Sequence, residues 1–334
     1  MRVLVAPDKF KSTATAVEVT EALVAALARD GHEATGVPMA DGGEGFLDAL
    51  GGPNRVATVR GPLGEPVEAA WRLHRRAAVI EMARASGLAL VGGPEANDPI
   101  GASTAGTGEL IALAVESGAT RVLVGVGGSA TTDGGLGALE ALHPPQRLRG
   151  VELVVACDVT TSFVDAAAVF GPQKGASPAQ VELLSRRLAR LAQVYERESG
   201  IDVTALVGAG AAGGLAGGLA TVGADLVSGF EVVAEEVGLD ELMEDVDLVV
   251  TGEGFLDQES FAGKVVGGVT ELAAEVGVPV LAVVGEVVDP LPALPDHLTV
   301  VSLSELVGAD ASRADPCAAA VRAVLAHCGP SDRR

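Results

Sequence analysis

Four of the 23 Lys and Arg residues are lysines: Lys9, Lys11, Lys174 and Lys264. Their placement is uneven. Lys9 and Lys11 stand in APDKFK, Lys174 in VFGPQKGA and Lys264 in GEGFLDQESFAGK. Each lies in or beside a loop that carries glycine or an acid, and none reads as an ordinary helix surface. A bias toward arginine explains the scarcity but not the positions. A compact ammonium with rotatable donors serves phosphate neutralisation and proton transfer differently from a planar guanidinium. At least two of these lysines are expected to touch an anionic ligand.

Four acidic loops accompany them, three of them glycine-bearing. APDKFK offers Asp8 and Lys11; ADGGEG offers Asp41, Gly42, Gly43 and Glu44; GGSATTDGG offers Gly127, Gly128, Ser129 and Asp133; TGEGFLD offers Glu253 and Asp257. Glycine lets backbone N–H groups approach phosphate oxygens, and carboxylates hold Mg²⁺ through oxygen. Phosphoryl transfer needs such a set: donors for the phosphate oxygens, a cation between phosphates, and a carboxylate for the alcohol proton. Any one loop by itself reads better as a tight turn in which glycine supplies positive φ and Asp caps a helix. Four of them, each after a strand, are hard to explain as turns alone. Asp158, which follows the apolar run ending in Cys157, projects at a further loop.

Competing motifs fare less well. A P-loop would need Ser or Thr after Gly263-Lys264, and Val265 stands there. Gly125-Val-Gly127-Gly-Ser-Ala130 matches a loose dinucleotide fingerprint, with Glu152 downstream as the acid, so an NAD-dependent oxidoreductase stays open. Gly208-Ala-Gly210-Ala-Ala-Gly213 matches the strict form but lacks a clean preceding strand and reads as a flexible helix start. The five histidines fall outside these loops, so a His-based triad or zinc site is unsupported.

The loops need strands to position them. Short apolar runs alternate with amphipathic Ala/Leu/Glu segments, the pattern of α/β folding. Strands are expected at 2–6, 33–39, 247–251, 278–284 and 298–302, with helix-length crossovers in the tail. Five parallel strands suit a flavodoxin/Rossmann-like sheet, whose ligands bind outside the carboxyl ends of the strands at the switch in strand order. A 2-1-3 order would make Asp8/Lys11 and Glu253/Lys264 face each other. Between them, Gly-Pro and Gly-Glu-Pro punctuation near residues 51–82 suggests antiparallel hairpins, followed by further strand and helix alternation. We therefore expect a discontinuous Rossmann-like domain, residues 1–50 plus 240–334, interrupted by an inserted α/β domain at 51–239, with the site in the interdomain cleft. Two sequential domains split near 150 are the alternative.

Composition narrows the partners. The 334 residues carry 45 Asp and Glu, a net charge of −22, with 48% hydrophobic residues. That charge repels nucleic acid and anionic membrane surfaces. Any anion site must then be rescued locally by lysine, backbone N–H or metal. The three cysteines have no paired spacing, no apolar run reaches the roughly 20 residues of a membrane helix, and the first apolar run is too short for a signal peptide. A cytoplasmic protein is expected; nothing in the sequence sets its oligomeric state.

APDKFK, PMADGGEG, EMARASGL, GTGEL, GGSATTDGG, ACDV, VFGPQKGA, GAGAAGGL and TGEGFLD…GK occur in the order found in the bacterial class I glycerate kinase family, which the chain resembles from about residue 1 to 285. The resemblance implies ATP- and Mg²⁺-dependent phosphorylation of D-glycerate, typically to 2-phosphoglycerate, on a two-domain fold in which one domain interrupts the other. It carries over Asp8, Lys11, Asp41, Gly42, Gly43, Glu44, Gly128, Ser129, Asp133, Asp158, Lys174, Glu253, Asp257 and Lys264. The expected roles are a general base at Asp158, phosphate or carboxylate neutralisation by Lys11 and Lys264, backbone cradles at 42–43 and 127–129, and Mg²⁺ at Asp41, Asp133 or Asp257. The chain departs from the family pattern after APDKFK, across Leu136–Val151 and after ACDV. A paralogue that binds a hydroxy acid or nucleotide without turnover, or takes another substrate, is the second reading.

Overall fold

The computed structural model describes residues 1–10 and 13–329. Among these the strands are β1 (Arg2–Val5), β2 (Glu33–Gly36), β3 (Arg55–Arg60), β4 (Pro66–His74), β5 (Ala77–Glu81), β6 (Arg121–Gly125), β7 (Glu152–Cys157), β8 (Asp225–Ser228), β9 (Leu248–Leu256), β10 (Val280–Val287) and β11 (Leu298–Ser302). The chain divides into two compact units: 1–41, 48–50 and 230–334 form the first, 42–47 and 51–229 the second.

The first unit is a five-stranded parallel sheet in the order β11-β10-β9-β1-β2. Numbered within the unit, that is 2-1-3-4-5, with its switch between β1 and β9. Its central strands read as continuous apolar runs because both faces are covered. Val3, Val5, Leu248, Val250, Leu281 and Val283 pack with Val19, Leu23 and Leu27 of helix Ala16–Arg29 and with Ala320 and Val324 of helix Pro316–Cys328. Helix Ala16–Arg29 starts where its sequence says it must. The Thr15 hydroxyl accepts from Glu18 N at 3.2 Å, and the Glu18 carboxylate accepts from Thr15 N at 2.8 Å.

One strand differs from expectation. β9 does not stop at Thr251 but runs through Gly-Glu-Gly to Leu256, with Glu253 opposite Val284 and Phe255 opposite Glu286. Glu253 therefore sits in a strand, not a loop. Glycine permits the close pairing: a Cβ on Gly252 would lie 2.1 Å from the Val283 carbonyl oxygen, and one on Gly285 would lie 2.4 Å from that of Gly254.

The second unit is a six-stranded sheet in the order β3-β4-β5-β6-β7-β8. β3–β4 and β4–β5 pair antiparallel, as the Gly/Pro punctuation predicts, and the rest are parallel. The GAGAAGGL segment is no flexible helix start. Ala212, Gly213 and Gly214 adopt left-handed dihedrals inside helix Ala211–Ala220, fully packed. A Cβ on Gly213 would lie 2.0 Å from the Thr131 carbonyl oxygen, so the kink exists to seat the GGSATTDGG loop. The dinucleotide fingerprint also fails structurally. The glycine run after β6 does not open a helix, since the next one begins only at Leu136, and Glu152 lies at the start of β7, paired with Arg121 at 3.3 Å.

Candidate functional site

In the first unit the parallel pairing of β1 with β9 continues past the strand end. Ala6 N donates to Val250 O at 2.7 Å and Asp8 N to Gly252 O at 2.8 Å, while the Thr251 hydroxyl donates to Ala6 O. These bonds bring Asp8 beside Glu253. On the other side Val37 N donates to Val5 O and Met39 N to Pro7 O, which carries Asp41 along the same segment. Lys9 Nζ then lies 3.2 Å from Asp41 Oδ1 and 3.5 Å from Asp8 Oδ1. Lys9 was met in the sequence only as one of four lysines; the structure makes it the bridge between two carboxylates.

Burial pushes Asp8 up to about 7, with Asp41 adding to the rise and Lys9 opposing it. Burial likewise pushes Glu253 up to about 7; Ser260 and Lys264 oppose the shift, and the neighbouring Asp8 and Asp257 charges add to it. Its Oε1 is buried with no hydrogen-bond partner. Two carboxyls that share one region and exchange protons near neutrality are equipped for acid–base chemistry. Lys264 stands at the N-cap of helix Val265–Val276, its Nζ 3.5 Å from Glu259 Oε2. Lys11 lies outside the described residues.

The raised Glu253 has a consequence for stability. A carboxyl whose folded pKa exceeds its unfolded value binds more protons in the native state, so native stability falls as pH rises from about 4.5 to about 7. Glu253→Gln removes that penalty. Its melting midpoint should match wild type at pH 5 and exceed it by a few degrees at pH 8. Equal midpoints at both pH values would show that Glu253 is not strained by its surroundings.

In the second unit the loop after β6 is built on glycine contacts. Gly127 N donates to Gly42 O at 3.3 Å, and a Cβ on Gly127 would lie 2.4 Å from Gly43 Cα. Gly42, at φ +91°, has the Ala156 carbonyl oxygen 2.7 Å from where a Cβ would stand. Leu88 N donates to Gly128 O, and Ala130 N donates to Ser86 O, so the ARASGL segment flanks the loop. Lys174 is buried, its Nζ donating to Thr131 O at 2.6 Å and to Ser129 Oγ at 3.3 Å. Burial lowers it to about 7, with Asp133 opposing. Its contacts are internal, which makes it a strut for the loop. Asn97 is the second strut, its amide donating to Ala130 O at 3.0 Å and Lys174 O at 2.9 Å. Sequence reasoning passed over Asn97; the Asn-Asp-Pro turn around it was the available signal.

Two of the three carboxylates expected to hold metal, Asp133 and Asp257, have other work. Asp133 Oδ2 accepts from Thr104 N at 2.8 Å, the Thr104 hydroxyl at 2.9 Å and Gly137 N at 3.2 Å, and Oδ1 accepts from Gly135 N. Asp257 Oδ1 accepts from Glu259 N at 2.8 Å and Ser260 N at 3.1 Å in a capping box. An oxygen saturated by N–H donors has little left for a cation. Among the described residues no group of three or more His, Cys, Asp and Glu side chains is placed to hold a metal ion. Asp158 and Glu44 are exposed. The structure thus gathers Asp8, Lys9, Asp41 and Glu253 in the first unit, and Gly42, Gly43, Gly127, Ser129, Asp133 and Lys174 in the second. No helix among the described residues is long and apolar enough to cross a membrane.

Comparisons with known proteins agree on one relationship. A sequence model of the glycerate kinase family matches residues 3–144 and 143–322. The glycerate kinase of Halalkalibacterium halodurans is 40% identical over 323 residues, covering 85% of each chain. The glycerate 2-kinase of Escherichia coli K12 is 39% identical over 337 residues, covering 89% of this chain and 88% of the other. A crystal structure described as a glycerate kinase 2 from Salmonella typhimurium LT2 superposes with a TM-score of 0.79 at 34% identity, over 98% of both chains.

Proposed function

Because the chain belongs to the glycerate kinase family, we propose that it transfers the terminal phosphoryl group of ATP to the 2-hydroxyl of D-glycerate, with Mg²⁺ accompanying the nucleotide. Kinase chemistry entails a nucleotide donor and a small alcohol acceptor. The single observation that carries the mechanism is the buried Asp8 carboxyl, raised to about 7 beside Lys9, Asp41 and Glu253.

Asp8 replaces Asp158 as the general base. A base works best when its pKa lies near the working pH, and the exposed Asp158 has no comparable burial. Deprotonated Asp8 accepts the hydroxyl proton late in a loose transition state. Lys9 holds that carboxylate in place and stabilises its charged form. Lys264, and Lys11 beyond the described residues, supply positive charge toward the phosphates or the glycerate carboxylate. In the second unit the turn at Gly127–Ser129, packed on Gly42–Gly43, offers the backbone N–H groups of Gly128 and Ser129 to an anion, with Glu44 exposed nearby and Lys174 holding the loop.

Mg²⁺ keeps most of its shell from water and phosphate and asks for only one or two carboxylates. Asp41 meets that demand better than Asp133, whose two oxygens are engaged, and Asp257, whose Oδ1 is engaged, and it leaves Asp8 to take the proton. When bound it neutralises charge between phosphates. A cytoplasmic location accords with the acidic surface and with small, phosphorylated metabolites as reactants.

Purified protein should release ADP only when D-glycerate, ATP and Mg²⁺ are all present, and ³¹P NMR should identify 2-phosphoglycerate as product. Binding of glycerate without ADP release would favour a non-catalytic paralogue, and turnover of a different hydroxy acid would reassign the substrate.

A further inference from the structure

The first unit contains a cavity of about 440 Å³ that the proton-transfer groups do not use. It opens at the C-terminal ends of β9 and β10. Phe10 comes from the segment after β1, Gly254 and Phe255 from β9, Gly285 and Glu286 from β10, and Ala309 from the helix Ala309–Ala314. Gly254 and Gly285 both line it and carry no side chain, so that part of its floor is bare backbone. Phe255 is 46% exposed, a large aromatic left uncovered at the wall. At the rim the Glu286 carboxylate accepts from Arg313 at 3.3 Å and remains half exposed, so it retains acceptor capacity.

This cavity is larger than a three-carbon acid needs, and such an acid would leave most of the volume empty. It suits a flat heteroaromatic ring joined to a diol. The ring would lie over a glycine floor against Phe255, and the diol would donate to a carboxylate, the arrangement by which an acid at a strand end reads a ribose. Continuity supports the match. Gly254 directly follows Glu253, and Phe10 directly follows Lys9, so the two segments that bear the proton-transfer and cationic groups also wall the cavity. We propose that this cavity takes the purine base and ribose of the nucleotide, with the ribose hydroxyls on Glu286 and the phosphates directed toward Lys9 and Lys264. The inference rests on the kinase reading and adds to it which pocket receives the nucleoside.

ADP binding measured by isothermal titration calorimetry, without glycerate, tests it. Ala309→Trp fills the cavity from an exposed helix position and should weaken ADP at least about tenfold. Phe255→Ala removes the stacking face and should weaken it about fivefold or more. Neither should move the KM for glycerate beyond about twofold. Phe255→Ala, a truncation at an exposed site, keeps the test decisive if the larger substitution disturbs its helix. Leu136→Trp, beside a cavity of about 390 Å³ in the second unit, is measured in parallel and should leave ADP affinity unchanged. Wild type that binds ADP with both first-unit variants unaltered overturns the cavity assignment alone, as does weakening confined to Leu136→Trp. Wild type that binds no adenine nucleotide overturns the kinase reading and this inference together.

Discussion

Asp8→Asn should fold normally and turn over about 10²- to 10⁴-fold more slowly than wild type, the usual contribution of a positioned general base. The substitution keeps the size of the side chain and an oxygen that can still accept the Lys9 N–H, which lies 2.7 Å from Asp8 Oδ1. It removes only the ability to take a proton. The pH profile separates this role from a structural one. Wild-type kcat/KM should rise with pH and level off above about 7 as Asp8 loses its proton, whereas the residual activity of the variant should lack that rise. Stability should move the other way. Asp8 is raised from 3.8 to about 7, so the wild-type fold binds the extra proton between those values and loses stability as pH climbs through them. The variant has no such loss, and its melting midpoint at pH 8 should equal or exceed that of wild type. Turnover within about threefold of wild type would remove Asp8 from the chemistry and return Asp158 to consideration.

Gly127→Ala should be nearly as damaging for a different reason. Its added methyl would stand 2.4 Å from Gly43 Cα, a backbone atom that cannot swing away as a side chain would. Gly43 has little room to retreat, because its neighbour Gly42 lies against the Ala156 carbonyl. Overpacking of this kind costs roughly 1–3 kcal/mol. The turns at 42–43 and 127–129 must move apart, and a displacement near 1 Å in a ligand-positioning loop is enough to lose about 10²-fold in turnover. Gly150→Ala provides the contrast. That site is left-handed at φ +76° but has nothing within 4 Å, so it should cost about 1 kcal/mol and leave turnover alone. Thermal melts and steady-state rates on the pair would decide the matter. Gly127→Ala with normal rates would show that the glycine contact does not position a ligand-binding loop.

These two expectations draw on different parts of the information. Asp8 stood out in APDKFK as an acid just past a strand end, because that placement is local, but the base was expected at Asp158. The pairing of β1 with β9, and hence of Asp8 with Glu253, followed from counting strands and applying the switch-point rule. The Gly127–Gly43 contact was not visible. Glycine in GVGGSA is compatible with a phosphate cradle, a tight turn or a close backbone approach, and the choice depends on a segment more than 80 residues away.

The carboxylates show the same division. Asp133 and Asp257 have the residue type and glycine-rich setting of metal ligands, and both are engaged by N–H groups, some from distant segments such as Thr104. Lys174 has the setting of a phosphate lysine and is buried as a strut. Alternation of apolar runs, turn residues and caps is written in neighbouring positions, so the sequence alone determined the α/β class, the strand count of the first sheet and the kinds of groups at the strand ends. Burial, proton affinity and the satisfaction of each oxygen are properties of what packs against a group from elsewhere in the chain. Only the tertiary structure could therefore raise Asp8 and Glu253, occupy Asp133 and Asp257, and open the space beside Phe255.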